Sequence, residues 1–293
     1  RGSQWALGPE IEEFENMIKN YIGCDYCLTM NSVTSSLHAA YLAYGFKPGD
    51  EIIVPSFSFI STANSVLFIN ATPKFADIET SNFGLDPSLL PSVITSKTKA
   101  IVPMDYGGVS CKIEEIKKIA NENNLVIIED AAEALGTSVN GIKTGNLADL
   151  SVFSFCGNKV LTTGEGGAIT TNSKEIFERI KLIRSHGRLD DISYFSNPSK
   201  SSYTTMGYNW RMSSITAALG ITQMGKLDKI IELRKRNAKS ITSGLSKYSD
   251  EIIFPFSSEK YENIFQMYTI RLKNKQIRDN FNKFLLEKKI FSK

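Results

Sequence analysis

Short apolar runs alternate with segments of helical periodicity between residues 26 and 155 of this 293-residue chain. Runs of this kind are typical of strands buried on both faces, and the helix formers between them supply the connections. Strands separated by helices need crossover connections, so the pattern predicts βαβ units and a mainly parallel sheet. The strands are predicted at 26–30, 51–54, 74–76, 100–103, 125–128 and 150–155, and helices at 9–23, 34–44 and 113–123.

A different pattern begins near Ser213. Residues 215–248 read as one or two long helices, 265–272 as a strand and 276–288 as a helix. We therefore expect an α/β domain over residues 1–212 and a smaller α+β domain over 213–293. Residues 290–293 supply no return strand, so the smaller domain is expected to be incomplete.

Composition excludes several function classes. The chain is 42% hydrophobic and carries 34 basic and 31 acidic residues without a basic stripe, so a nucleic-acid partner is not expected. No apolar run approaches the roughly 20 residues that span a bilayer, and residues 1–10 lack a signal-peptide pattern, so we expect a cytoplasmic protein without a membrane partner. Cys24 and Cys27 form a single C-x-x-C pair, which is too few ligands for zinc; no metal is expected, and the four cysteines are interpreted as small buried apolar residues.

Two side chains could carry chemistry at strand ends. Asp130 closes the predicted strand at 125–128, at the edge where open α/β sheets bind ligands, although a strand-end aspartate can also simply cap a turn. Lys159 lies between another strand and the glycine-rich stretch 162–167. A lysine held in a desolvated pocket becomes a nucleophile for Schiff-base chemistry, whereas most lysines are solvated.

A third element is the turn at residues 30–37, where a strand passes through hydroxyl residues into a helix. Helix N-termini with free N–H groups and nearby hydroxyls bind phosphate, although the same residues could be an ordinary N-cap.

The order of these residues resembles the DegT/DnrJ/EryC1/StrS sugar aminotransferases, a family of fold type I pyridoxal-phosphate (PLP) enzymes. The matching segments are GDEIIVP at 49–55, TKAIV at 98–102, EDAAEALG at 129–136, SFCGNK at 154–159, GEGG at 164–167 and GYNWRM at 207–212. The resemblance implies a seven-stranded, mainly parallel sheet flanked by helices. It also implies PLP as cofactor and transfer of an amino group, from glutamate, to a nucleotide-linked keto-sugar.

By the same resemblance, Lys159 holds PLP as a Schiff base and Asp130 pairs with the pyridine nitrogen, keeping the ring protonated as an electron sink. Lys159 then serves as the base that moves the proton. Thr34, Ser35 and Ser154 are expected to hold the phosphate. Phe59 is expected to stack on the ring, with burial in the core as the alternative.

The remaining assignments concern the partner subunit and the sugar. Asn209 resembles a residue that reaches the cofactor phosphate of a neighbouring subunit, which implies a homodimer with shared active sites. Glu133 stands beside the cofactor 3′ oxygen and the sugar, and Glu there resembles perosamine synthases and enzymes that aminate C4 of UDP-linked sugars, so a 4-keto-6-deoxy sugar is favoured. His186, Arg188 and Arg211 are candidate substrate ligands, with helix-end or surface ion-pairing roles as alternatives. His38 is expected to be packed among apolar neighbours.

Three other functions stay open. A sugar dehydratase of the same fold replaces the Schiff-base lysine with histidine, so Lys159 argues against it. A non-catalytic binding or regulatory protein has no need for both Lys159 and Asp130. An ordinary amino-acid aminotransferase is disfavoured only by the family resemblance. The chain departs from the family at Val33, where many relatives have Gly, and at residues 156–158, but neither change removes a group that the chemistry requires.

Overall fold

The computed structural model describes residues 8–188 and 202–292, and its centre is a seven-stranded sheet. The strands are β1 (Tyr26–Met30), β2 (Glu51–Pro55), β3 (Thr72–Ala76), β4 (Thr98–Ile101), β5 (Val126–Asp130), β6 (Ser138–Val139), β7 (Ile142–Lys143), β8 (Leu150–Ser154), β9 (Gly167–Thr171), β10 (Ile252–Ile253), β11 (Tyr261–Glu262) and β12 (Arg271–Leu272). The large sheet has the order β1-β9-β8-β5-β4-β2-β3.

The large sheet is parallel except at one strand. β9 runs antiparallel to both of its neighbours, β1 and β8, while the pairs β8-β5, β5-β4, β4-β2 and β2-β3 are parallel. The expected seven-stranded, mainly parallel sheet is therefore confirmed, and the six strands predicted between residues 26 and 155 are all present in it. The seventh, β9, was missed because Gly164 and its neighbours read as a loop that continues past Gly167.

Helices flank this sheet. They are α1 (Pro9–Ile22), α2 (Val33–Ala43), α3 (Ile60–Leu67), α4 (Leu90–Val93), α5 (Ile113–Glu122), α6 (Lys174–Ile183), α7 (Ser214–Met224), α8 (Leu227–Leu245) and α9 (Lys275–Glu287). The ends of α1 follow from its sequence: Glu10 and Glu12 lie in its first turn, and Gly23 ends it at φ 83°, a conformation that costs glycine little. The predicted helices at 9–23, 34–44 and 113–123 are confirmed.

Two apolar layers sandwich the sheet. On one side, α2 and α6 bury Leu37 and Ile180 against the strands. On the other, α1 packs on α7, and the Phe14 ring lies so close to Gly220 that a Cβ there would approach it to 2.5 Å. This close approach lets the first helix and a helix from the C-terminal third share one core.

The C-terminal third differs in part from expectation. Residues 215–248 form the two helices α7 and α8, and α9 is confirmed. The strand predicted at 265–272 is wrong, since only β12 is extended and paired there. Phe265 instead has φ 52° and its N–H donates to Asn263 Oδ1 at 2.7 Å, which turns the chain away from a strand path. The domain division at residues 212 and 213 stays a prediction.

Within residues 8–188 and 202–292, we found no helix with both the length and the apolar character needed to cross a membrane.

Candidate active site

The carboxyl ends of β1, β5 and β8 lie at the same edge of the sheet. Gly167 is in register with Met30 on one side and Ser154 on the other, and Asp130 is in register with Val152 of the same neighbouring strand. Because β1, β5 and β8 run in the same direction, the residues that follow them meet at this edge. Asp130, Ser154 and the turn into α2 are thus brought together by the sheet register.

Asp130 is a buried carboxyl group with two defined partners. It is 2% exposed, and its Oδ2 accepts a hydrogen bond from Thr62 Oγ1 at 2.8 Å. Its Oδ1 accepts from the Ala132 N–H at 3.3 Å, so it also caps the turn after β5, the simpler alternative. Burial raises the pKa of Asp130 above its ordinary value, while the Thr62 hydrogen bond opposes that rise. A nearby cation would complete the stabilisation of its ionised form.

Lys159 projects from the turn that follows β8. Its Nζ lies 3.0 Å from Glu133 Oε1, and the two side chains are only 13% and 11% exposed. The other carboxylate oxygen of Glu133, Oε2, accepts from the Gly107 N–H at 2.9 Å. The amine is therefore held in a partly desolvated position, and it lies near enough to Asp130 to lower that group's pKa.

The start of α2 has the features of an anion site. Ser32 is the N-cap and accepts from the Ser35 N–H at 3.2 Å, while Ser35 Oγ donates to Asn31 Oδ1 at 2.6 Å. Gly167 lies against this turn so closely that a Cβ would come within 2.9 Å of the Val33 N and 2.8 Å of the Ser32 carbonyl carbon. The cap is thus Ser32, and Thr34 lies half-buried in the first turn of α2, where helix N–H groups can bind an anion.

Two predicted cofactor residues lie apart from the core. Phe59, at the start of α3, is 70% exposed, so burial in the core is wrong for it and its face is available for stacking. Asn209 is exposed and pairs through a bridge with Ser185. Ser154 is half-buried, and its Oγ accepts from the Cys156 N–H at 3.4 Å.

The three candidate substrate residues occupy different positions. Arg211 pairs with Met30 through a bridge and its Nη1 donates to Ser185 Oγ at 3.0 Å, which places it beside the turn into α2. Arg188 is only 6% exposed, so the surface position considered for it is wrong. His186 is exposed in a left-handed conformation with φ 61° just beyond α6.

His38 and the cysteines are largely as expected. The His38 ring packs 4.9 Å from Trp210 and 5.3 Å from Phe68, as predicted, and burial lowers its pKa. The cysteines at 24, 27 and 111 are buried. Cys156 is only half-buried, with its Sγ 3.7 Å from Glu165, so the prediction is wrong there because its turn lies at the surface.

Sequence reasoning missed Thr62, which lies in a short helix without a recognisable motif. It also missed Gln266, whose side chain contacts the lysine turn from a distant part of the chain. No local signal marks either residue, since Thr62 is one of four polar side chains in the eight-residue α3.

The residues at this edge fit PLP. The cofactor has an aldehyde that needs an amine, a pyridine nitrogen that needs a carboxylate and a phosphate that needs an anion site. Lys159 would supply the first, Asp130 the second, and the start of α2 with Ser154 the third. Asp130 is the strongest indication of PLP. Burial raises its pKa, so a positively charged partner such as a protonated pyridine nitrogen would stabilise its ionised form.

Comparisons with known proteins show which family the chain resembles. The model of the DegT/DnrJ/EryC1/StrS aminotransferase family matches residues 1–293. A GDP-perosamine synthase from Caulobacter vibrioides is 38% identical over 267 residues, which cover 91% of this chain and 70% of that protein. A UDP-2-acetamido-2-deoxy-3-oxo-D-glucuronate aminotransferase from Pseudomonas aeruginosa is 32% identical over 277 residues, 94% of this chain and 74% of that protein.

Solved structures show the same fold. The Helicobacter pylori aminotransferase PseC, involved in the biosynthesis of pseudoaminic acid, superposes with a TM-score of 0.89 at 31% identity, covering 98% of this chain and 76% of that chain. Together with the match over the whole sequence, this likeness identifies the chain as a member of the DegT/DnrJ/EryC1/StrS aminotransferase family.

Proposed function

We propose that this chain is a PLP-dependent aminotransferase that moves an amino group from glutamate to a nucleotide-linked 4-keto-6-deoxy sugar. The observation that carries the proposal is the placement of the Lys159 amine and the buried Asp130 carboxyl group at one edge of the sheet, with Glu133 3.0 Å from the amine. A binding protein needs a ligand pocket but not this pairing of a nucleophile with a buried acid.

Each residue has a defined task in this proposal. Asp130 holds the pyridine nitrogen and keeps its proton in place, while Thr34, Ser35 and Ser154 hold the phosphate. When bound, the protonated ring of PLP withdraws electrons from the carbon that loses its proton. Lys159 Nζ would hold the cofactor through its aldehyde, with loss of water, and, once the donor amine displaces it, would be the base that takes the α-proton of the donor. The same proton transfer in reverse completes the amination of the keto-sugar.

The sugar specificity is the finer part of the proposal. Glu133 lies against the amine of Lys159, so its carboxylate is within reach of a substrate bound there. The Caulobacter relative is a perosamine synthase, whereas the Pseudomonas relative takes a 3-oxo sugar. We favour the 4-keto position because of Glu133, and propose that His186, Arg188 and Arg211 contact the nucleotide.

Assembly into a homodimer also belongs to the proposal. Several large apolar side chains around α3 and the edge strand β3 are exposed, and a monomer seldom leaves so many uncovered. They are Phe59, Ile60, Leu67, Phe68 and Phe75. A second copy of the chain would cover them, and the exposed Asn209 would then be available to the neighbour's cofactor. All four cysteines are free thiols, as is usual in the cytoplasm, where we place the enzyme.

The test is amino transfer itself. Protein loaded with PLP is mixed with glutamate and with a GDP- or UDP-linked 4-keto-6-deoxyhexose, a 3-keto sugar nucleotide, or a simple keto acid, and amino-sugar formation is followed by mass spectrometry. The proposal expects turnover with a 4-keto sugar nucleotide that exceeds turnover with the other two acceptors. Turnover with the keto acid alone would indicate an amino-acid aminotransferase, and loss of water from the sugar would indicate a dehydratase.

A further inference from the structure

The Gln266 side chain forms hydrogen bonds with the backbone on both sides of Lys159. Gln266 is buried, with only 7% of the residue exposed. Gln266 Oε1 accepts from the Val160 N–H at 2.9 Å, and Gln266 Nε2 donates to the Asn158 carbonyl oxygen at 2.8 Å. One amide side chain thus bonds to the Val160 N–H after Lys159 and to the Asn158 carbonyl before it. These two bonds fix the backbone of the lysine turn in two places.

Gln266 is itself held firmly. Arg234 Nη1 donates to the Gln266 carbonyl oxygen at 2.9 Å and to the Phe265 carbonyl oxygen at 3.2 Å. On the other side, Gly108 lies so close that a Cβ would approach the Gln266 N to 2.7 Å. These contacts fix the Gln266 backbone, so the side-chain amide restrains the lysine turn from an anchored position.

The same segment reaches the Lys159 amine by a second route. The Met267 N–H donates to the Gly107 carbonyl oxygen at 3.0 Å. The Gly107 N–H in turn donates to Glu133 Oε2, whose other oxygen lies 3.0 Å from Lys159 Nζ. The segment 264–267 therefore bonds to the backbone of Asn158 and Val160, on either side of Lys159, and is linked through Gly107 to Glu133, the partner of the Lys159 amine.

We infer that Gln266 is a positioning residue that aligns Lys159 for covalent capture of the cofactor. The inference rests on the proposed role of Lys159 and goes beyond it, because it gives the C-terminal third of the chain a part in forming the active site. Gln266 contacts no reacting atom; it acts through the two peptide groups that flank the lysine. Its removal should loosen the turn without changing the amine.

The experiment compares Gln266→Leu, which keeps the volume but forms neither hydrogen bond, with Gln266→Glu, which keeps the acceptor for Val160. The matched control is Thr242→Val, which removes a 2.7 Å hydrogen bond to Tyr268 Oη in the same part of the fold, away from Lys159. Two quantities are measured: hydrogen–deuterium exchange of the cofactor-free protein over residues 156–163, and the dissociation constant for PLP from its absorbance. Exchange needs no cofactor, so it reports on the turn alone.

In Gln266→Leu we expect exchange at the turn and the dissociation constant each to rise at least about tenfold, the effect of losing two buried hydrogen bonds. Gln266→Glu should lie between Gln266→Leu and the unsubstituted protein, and Thr242→Val should change neither quantity. A folded Gln266→Leu protein with unchanged exchange and unchanged PLP affinity overturns the inference, while failure of the unsubstituted protein to bind PLP overturns the proposed function instead.

If Gln266→Leu does not fold, hydrogen exchange of the unsubstituted protein still tests the inference. The Val160 amide should exchange as slowly as the amides of Ile264 and Met267, because one segment protects all three. Exchange of Val160 at the rate of an exposed turn amide would overturn the inference.

Discussion

Lys159 Nζ and Glu133 Oε1 lie 3.0 Å apart and form an ion pair in a partly buried position. The pair must open before the amine can react with an aldehyde, so Glu133 holds the cofactor-free enzyme in a resting arrangement. An ion pair of this exposure contributes about 1 kcal/mol, so Glu133→Gln should capture PLP roughly fivefold faster. Stopped-flow absorbance after mixing with PLP measures this rate. Glu165→Gln, at an exposed carboxylate on the same turn, is the control, and an equal or slower rate in Glu133→Gln would contradict the resting role.

Thr62 supports Asp130 through the 2.8 Å hydrogen bond to Oδ2. Burial raises the pKa of Asp130 and this bond lowers it, so Thr62→Val should raise the pKa further and reduce the ionised fraction as the pH falls. We expect PLP to bind about tenfold more weakly in Thr62→Val, with a larger defect at pH 6 than at pH 8. Thr62→Ser keeps the hydroxyl and should bind normally. A defect equal at the two pH values would show that Thr62 acts through packing alone.

The close approach of Gly167 to the start of α2 predicts a steric effect. An added Cβ would come within 2.9 Å of the backbone at Ser32 and Val33, which cannot move aside as a side chain can. Gly167→Ala should lower the free energy of unfolding by about 1–3 kcal/mol and weaken phosphate binding. Gly157→Ala is the control, because no atom lies within 4 Å of a Cβ there. Urea unfolding of both variants measures the difference, and equal stability would show that the turn can shift.

Much of this arrangement could be predicted from the sequence, because local signals carry it. The apolar runs predicted six strands of the large sheet, and Asp130 and Lys159 were candidates because each follows a predicted strand. The antiparallel strand β9 was not predicted, because the glycines at its start permit both a turn and close packing. Gln266 and Thr62 were not predicted, because no local pattern encodes their contacts. Gln266 bonds to Val160, 106 residues away, and Thr62 bonds to Asp130, 68 residues away. The false strand at 265–272 has the same cause: the chain turns at Phe265, and its neighbours Ile264 and Met267 bond to Gly108 and Gly107 in the first half of the chain.

A buried pair of carboxyl groups beneath the site predicts how stability depends on pH. Asp105 and Glu129 are both fully buried and in hydrogen-bonding contact, and their neighbours Cys111 and Asp130 supply no cation. Burial and the nearby Glu129 raise the pKa of Asp105 well above 3.8. The folded state therefore binds a proton that the unfolded state releases, so the contribution of this pair to stability is fully present below the ordinary aspartate pKa and is lost as the pH rises through the raised pKa.

Asp105→Asn removes this proton while keeping a donor towards Glu129. Its free energy of unfolding should decline less between pH 5 and pH 8 than that of the unsubstituted protein, as measured by urea unfolding at the two pH values. Asp149→Asn, at an exposed aspartate that accepts from the Ile127 N–H, serves as the control and should follow the unsubstituted protein. Parallel pH profiles for all three proteins would mean that Asp105 and Glu129 share no proton.

The most direct test of the central claim is covalent trapping of the cofactor on Lys159. The protein is incubated with PLP, reduced with borohydride, digested and analysed by mass spectrometry beside Lys159→Ala. The account predicts a reduced pyridoxyl group on the peptide that contains Lys159, preceded by a visible absorbance band that Lys159→Ala lacks. A folded protein with no trapped group, or with the group on another lysine to the same extent in both proteins, would contradict it.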